Sequence, residues 1–217
     1  MNTLLWPQAP LAINQAANTF LAHAQTLGVV IRVSDRDAIA YPNPEAPDVS
    51  GYFQDRPVPT LGVALGGDWT DTFPVFLHEY AHLTQWAEGI ALWTDLFRDG
   101  VEANDWMDRW LAGEDLPAEQ VAWMFRAVRA IEMDCERRAL ALIERLNLPL
   151  DPVVYARKAN AYVLFYHHAQ RDRSWRPADA APPYRIPAIW QVAPATLGDA
   201  ETLPAPLSAA YDAVYHA

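Results

Sequence analysis

The sequence predicts an α+β fold, mostly helical, in which a small N-terminal β-sheet of about three short strands packs on a helix carrying two histidines. Three observations predict it. Helical periodicity fills the start of the chain and most of it beyond Pro117. Short strand-like runs punctuated by Gly and Pro cluster before Gly66. His78 and His82 stand four apart, so on a helix both project from one face about one turn apart.

Composition sets the scale. With 217 residues, 52% of them hydrophobic, the chain supports one domain with a substantial core over residues 1–217. Within it, residues 1–70 hold a helix and the small sheet, residues 71–171 a helical part, and residues 172–217 a proline-rich tail that wraps the domain. Nine Trp, nine Tyr and seven Phe demand burial and exclude a disordered chain. The net charge of −11, uninterrupted by any basic cluster, argues against nucleic acid and against an anionic membrane as partners. Met1-Asn2-Thr3-Leu4-Leu5-Trp6-Pro7 has neither a basic start nor a long apolar run, so it does not read as a signal peptide. A single cysteine, Cys135, excludes an internal disulfide and suits a reducing cytoplasm.

The elements follow in order. Leu11, Ile13, Ala16, Ala17, Phe20, Leu21 and Ala24 recur at helical spacing, and Gly28 stops the helix. Residues 29–33 read as a strand, residues 41–48 as a loop broken by Pro42, Pro44 and Pro47, and residues 51–53 as a short strand. Residues 58–65 alternate Leu61, Val63 and Leu65 against Thr60, Gly62 and Ala64. Pro57 and Pro59 favour an edge position for that strand, where an extended peptide could add by β-pairing. Gly66-Gly67 turns the chain, Asp71 or Thr72 with Pro74 just inside starts the histidine helix, and Gly89 ends it. Residues 92–111 read as a helix interrupted near Gly100, with Trp106 and Trp110 one turn apart as core packing. The longest pattern runs from Pro117 to about Asn147, and Asp151-Pro152 caps a further helix that continues to about Arg171. A proline-rich tail follows, with a short helix near residues 207–215.

His78-Glu79-Tyr80-Ala81-His82 is the H-E-x-x-H arrangement of zinc hydrolases. Two imidazoles one turn apart can reach one ion, and the adjacent carboxylate acts as a general base rather than a ligand. The flanking Val75, Phe76, Leu77 and Leu83 are uncharged, as a helix crossing a core requires. Two histidines do not complete a catalytic zinc site, so a third ligand is expected. Glu132 is the best candidate: it falls one turn after Val128 and intrudes on the apolar stripe Val121, Met124, Phe125, Val128, Cys135, Ala139. Metal binding is one way to offset the cost of burying a carboxylate. Glu136, one turn on, shares that face and could orient an imidazole; the bland alternative places both glutamates in a solvated band with Arg137 and Arg138. Rival ligands are Glu88, Asp134, and one of His167 and His168. Glu88 lacks the glycine turn its spacing would need, Gln85 standing there instead. Asp134 lies across the helix from Glu132, and the adjacent His167 and His168 point about 100° apart.

The H-E-x-x-H segment with the later Glu132-x-x-x-Glu136 resembles the gluzincin branch of the zincin metallopeptidases. The order of helix, short strands, metal helix and glutamate helix over roughly residues 11–147 is similar to the small ImmA/IrrE-type peptidases. In such families the first Glu ligates zinc and the fourth-following Asp or Asn braces a histidine. The resemblance therefore implies a zincin-like domain with Zn²⁺ held by His78, His82 and Glu132, Glu79 as general base, and Glu136 as brace. Glu136 departs from the usual Asp or Asn. Tyr155, Tyr162 and Tyr166 lie at helical spacing with His167 nearby; Tyr166, Tyr162 and His167 are candidate oxyanion donors in that order, against a plain aromatic core. The expectation is a cytoplasmic zinc-dependent peptide-bond hydrolase acting on a protein or peptide laid along residues 60–65. The alternative is a catalytically silent zinc-binding regulatory or phage accessory protein.

Overall fold

The computed structural model describes residues 5–42, 48–177 and 180–216; Met1–Leu4 of the N-terminal segment and Pro44 and Pro47 of the expected proline loop lie outside them. The fold is α+β and mostly helical with a small three-stranded sheet. Its residues group into two compact units, Met1–Gly89 with Arg138–Leu150, and Ile90–Arg137 with Asp151–Ala217.

The first unit opens with α1 (Leu11–Thr26), which buries Ile13, Ala17, Phe20 and Ala24 and stops at Gly28, in the left-handed region at φ 75°. Strands β1 (Val30–Ser34), β2 (Gly51–Gln54) and β3 (Thr60–Ala64) form a sheet in the order β1-β3-β2. β3 runs parallel to β1, Val30 opposite Thr60, and antiparallel to β2, Gly51 opposite Val63. The expected edge strand is thus the central one, buried along its whole length. The proline rule misled because Pro57 and Pro59 precede the ladder, where the Pro59 carbonyl accepts from the Val30 amide. Gly62 is set by close packing. The Tyr52 ring covers it, and a Cβ there would lie 2.3 Å from Tyr52 Cε1.

Helix α2 (Trp69–Glu88) packs on β2 and β3. It starts earlier than Asp71 or Thr72. Asp68 is the N-cap, accepting from the Thr70 amide and hydroxyl at 2.8 Å, and Pro74 sits inside the helix. These bonds hold the Asp68 carboxyl below the usual carboxylate range. Gly89 at φ 61° closes the helix as expected. Its buried face carries Phe73, Phe76 and Tyr80, which join Trp6 and Phe20 in an aromatic chain with Phe20 stacked on Tyr80 at 4.4 Å. The Trp6 indole N–H donates to Thr72 Oγ1 at 2.7 Å, fixing the segment before α1 to α2.

In the second unit α3 (Ala91–Asp95) leads into a hairpin, β4 (Phe97–Arg98) and β5 (Val101–Glu102), then α4 (Ala103–Leu111). Asp99 and Gly100 both have positive φ, 54° and 77°, so the break near Gly100 is an Asp-Gly hairpin turn rather than a kinked helix. Trp110 meets Phe125 edge-on at 5.5 Å, in keeping with core packing. Helix α5 (Ala118–Arg145) presents Met124, Phe125, Val128 and Ile131 to the core of this unit. The helix expected to run to Arg171 is two: α6 (Pro152–Val163), N-capped by Asp151, and α7 (Phe165–Asp172). At Leu164 the chain tightens, and the His167 amide reaches the Leu164 carbonyl three residues back.

The tail packs on this second unit through a 3₁₀ turn at Pro183–Arg185, α8 (Pro187–Trp190) and α9 (Ala205–Tyr215). A proline-rich segment has few N–H groups of its own, so side-chain donors from the helices meet its carbonyls. Asn160 Nδ2 donates to the Pro194 and Thr196 carbonyls at 2.9 Å, Arg129 Nε to Ala200 at 3.1 Å, and the α9 Tyr211 hydroxyl to Ala161 at 2.8 Å. No helix among the described residues is long and apolar enough to cross a membrane.

Candidate metal centre

Helix α2 carries His78, Glu79 and His82 in the first unit; Glu132, Cys135, Glu136, Tyr162, Tyr166 and His167 belong to the second. The i,i+4 spacing does what helical geometry requires. His78 Nε2 and His82 Nε2 stand 3.1 Å apart, with the rings near perpendicular and centroids 4.6 Å apart. That separation is close to the roughly 3.3 Å edge of a tetrahedral site with Zn–N bonds of about 2.0–2.1 Å. Both imidazoles are half-buried.

The tautomer of His82 follows from its other contact. Gln85 Oε1 lies 2.8 Å from His82 Nδ1 and can only accept, so Nδ1 carries the proton and Nε2 keeps its lone pair. Gln85 is wholly buried. The sequence shows Gln85 only as the residue in place of a glycine; its signal was the one amide side chain of the helix, one turn beyond a histidine. The donor set therefore fits a borderline-soft ion such as zinc.

Glu79, half-buried beside His78, lies against β2. A Cβ on Gly51 would come within 3.1 Å of Glu79 Cγ and 2.8 Å of Val75 Cγ1, so glycine lets the strand approach this face. Glu88, a rival ligand, is largely exposed and pairs with Arg138 on α5 at 2.8 Å; the same guanidinium reaches Thr84 Oγ1 at 3.3 Å. Tyr80 points away to α1, where its hydroxyl meets His23 Nδ1 at 2.8 Å.

In the second unit one face of α5 carries Glu132, Cys135 and Glu136, all buried, while Asp134 is half-buried. Glu136 accepts from the Tyr155 hydroxyl at 2.6 Å; burial foremost, and then the Glu136 charge, push the Tyr155 phenol well up. Tyr166 is likewise pushed far up, chiefly by burial and next by the Glu132 carboxylate, and its hydroxyl meets that of Tyr162 at 3.2 Å. His167 Nε2–H is directed to the Ala200 carbonyl at 2.8 Å, and burial lowers the ring's basicity.

A further set of donors escaped the sequence. His168, Asp172 and His216 place three ligand atoms within 4.8 Å of one another in the second unit. His216 lies far from the other two along the chain, and only the docking of α9 brings it to α7.

No protein-family model, curated protein or solved structure matches the chain.

Proposed function

We propose that the chain is a zinc-dependent peptide-bond hydrolase of the cytoplasm, with His78, His82 and Glu132 holding the metal and Glu79 as general base. The observation that carries it is the convergence of the two imidazole Nε2 atoms at 3.1 Å, one with its tautomer set for ligation by buried Gln85. The H-E-x-x-H spacing and the resemblance to the gluzincins support the same reading. Glu132 is a buried carboxylate on α5, and a carboxylate is among the usual ligands of a catalytic zinc. The lone Cys135, fully buried, suits a reducing compartment.

When bound, zinc supplies a Lewis acid that polarises the peptide carbonyl and acidifies water to a pKa near 7. Glu79 takes the proton of the attacking water and delivers it to the leaving amine. The Tyr166 hydroxyl, backed by Tyr162 and with its phenol pushed up chiefly by burial, is the donor proposed for the oxyanion. His167 is the weaker candidate, its Nε2–H being given to Ala200. The peptide cannot pair with β3, whose two edges are occupied by β1 and β2. The proposed track is instead β2, which passes Glu79 and whose other edge carries no ladder among the described residues.

Glu79→Gln is the test. It should keep zinc at wild-type stoichiometry and lower the hydrolysis of a peptide library by about 10²–10⁴ in kcat. Zinc bound without cleavage by the wild type would instead favour a regulatory zinc protein, and unimpaired turnover in Glu79→Gln would remove the base assignment.

A further inference from the structure

We propose that His168 Nε2, Asp172 Oδ2 and His216 Nε2 form a second binding site for a divalent transition-metal ion, with Zn²⁺ as its reference occupant. Asp172 Oδ2 lies 3.2 Å from His168 Nε2 and 3.0 Å from His216 Nε2, and the two imidazole centroids are 5.1 Å apart. Those spacings approach the ligand–ligand edges of a tetrahedral ion with bonds of about 2.0–2.2 Å to imidazole and carboxylate. His168 and Asp172 are an i,i+4 pair on α7; His216 follows the last turn of α9.

The surroundings are built as an outer shell. Asp212 Oδ1 is 3.6 Å from His168 Nδ1 and 3.8 Å from His216 Nδ1, so one carboxylate lies near the far nitrogen of both rings. Arg171 joins the two carboxylates, through Nε to Asp172 Oδ1 at 2.7 Å, Nη2 to Asp172 Oδ2 at 2.9 Å, and Nη2 to Asp212 Oδ1. Arg171 Nη2 also sits 3.0 Å from His168 Nδ1. A guanidinium only donates, so His168 Nδ1 accepts here and ligation through Nε2 requires the other tautomer. A cavity of about 190 Å³ opens on the three donors, lined also by Ser174, Trp175, Arg176, Pro177 and Tyr215, with room for water as a fourth ligand.

The test uses the untagged full chain in a His78→Ala/His82→Ala background, so that zinc at the α2 pair does not contribute. Zn²⁺ titration against a competing chelator should give one equivalent. His216→Ala or Asp172→Asn should weaken that binding by roughly 100-fold or more, and Asp212→Asn by about 10–100-fold. The His216 side chain is half-exposed, so His216→Ala leaves the core intact; its thermal unfolding curve checks this. No binding in that background, or binding indifferent to both ligand variants, would overturn the site. A wild type that binds one equivalent and loses it on His216→Ala would refute the α2 zinc site while leaving this one standing.

Discussion

Two groups of imidazoles are assembled here by opposite means. His78 and His82 owe their 3.1 Å approach to one helix; any chain that keeps α2 helical keeps them together. His168 and His216 come from α7 and from the end of α9, and their 5.1 Å approach exists only while those helices are docked. The outer shells differ in the same way. Gln85, one turn along α2, orients His82, whereas Asp212 must arrive from α9 to face His168. A locally encoded pair of ligands survives loosening of its surroundings; a group encoded by packing fails with them.

The largest effect that could break this contrast comes from the packing side. Phe165 is buried among His168, Trp175, Tyr211 and Tyr215, with ring centroids 5.1–5.3 Å away. Phe165→Ala should cost about 3–5 kcal/mol in urea unfolding. Under native conditions it should weaken zinc at the His168 group more than at the α2 pair. Equal weakening of both would end the distinction. A smaller effect sharpens it from the other side. Gln85→Met keeps the buried volume but removes the acceptor for His82 Nδ1, so zinc at the α2 pair should weaken by about 10–100-fold in chelator competition. The His168 group should not respond.

Legibility follows the same division. The spacing of His78 and His82, the helix stop at Gly89 and the cap at Asp151 were readable because each is decided within one or two helical turns. The small sheet packed on α2 was readable from its short alternating runs, but strand order was not. Pro59 sits one residue outside the ladder, and nothing local reveals that β1 returns parallel to β3. The turn at Asp99-Gly100 carried a hairpin signal that the neighbouring helical pattern obscured. The role of Gln85 and the gathering of His168, Asp172 and His216 depend on what a side chain meets after folding. The tail conceals its anchoring for a related reason, since Asn160 and Arg129 donate to carbonyls whose positions no residue type discloses.

In the proposed metal centre the α2 pair and Glu132 bind one ion. X-ray absorption at the zinc edge of His216→Ala protein carrying one equivalent of zinc tests it most directly. Two imidazole nitrogens and a carboxylate oxygen are expected at about 2.0–2.2 Å, with the imidazole signature lost in His78→Ala and His82→Ala. A shell of water oxygens alone, a sulfur at about 2.3 Å from Cys135 in place of the carboxylate, or a spectrum unchanged by either histidine variant would contradict it.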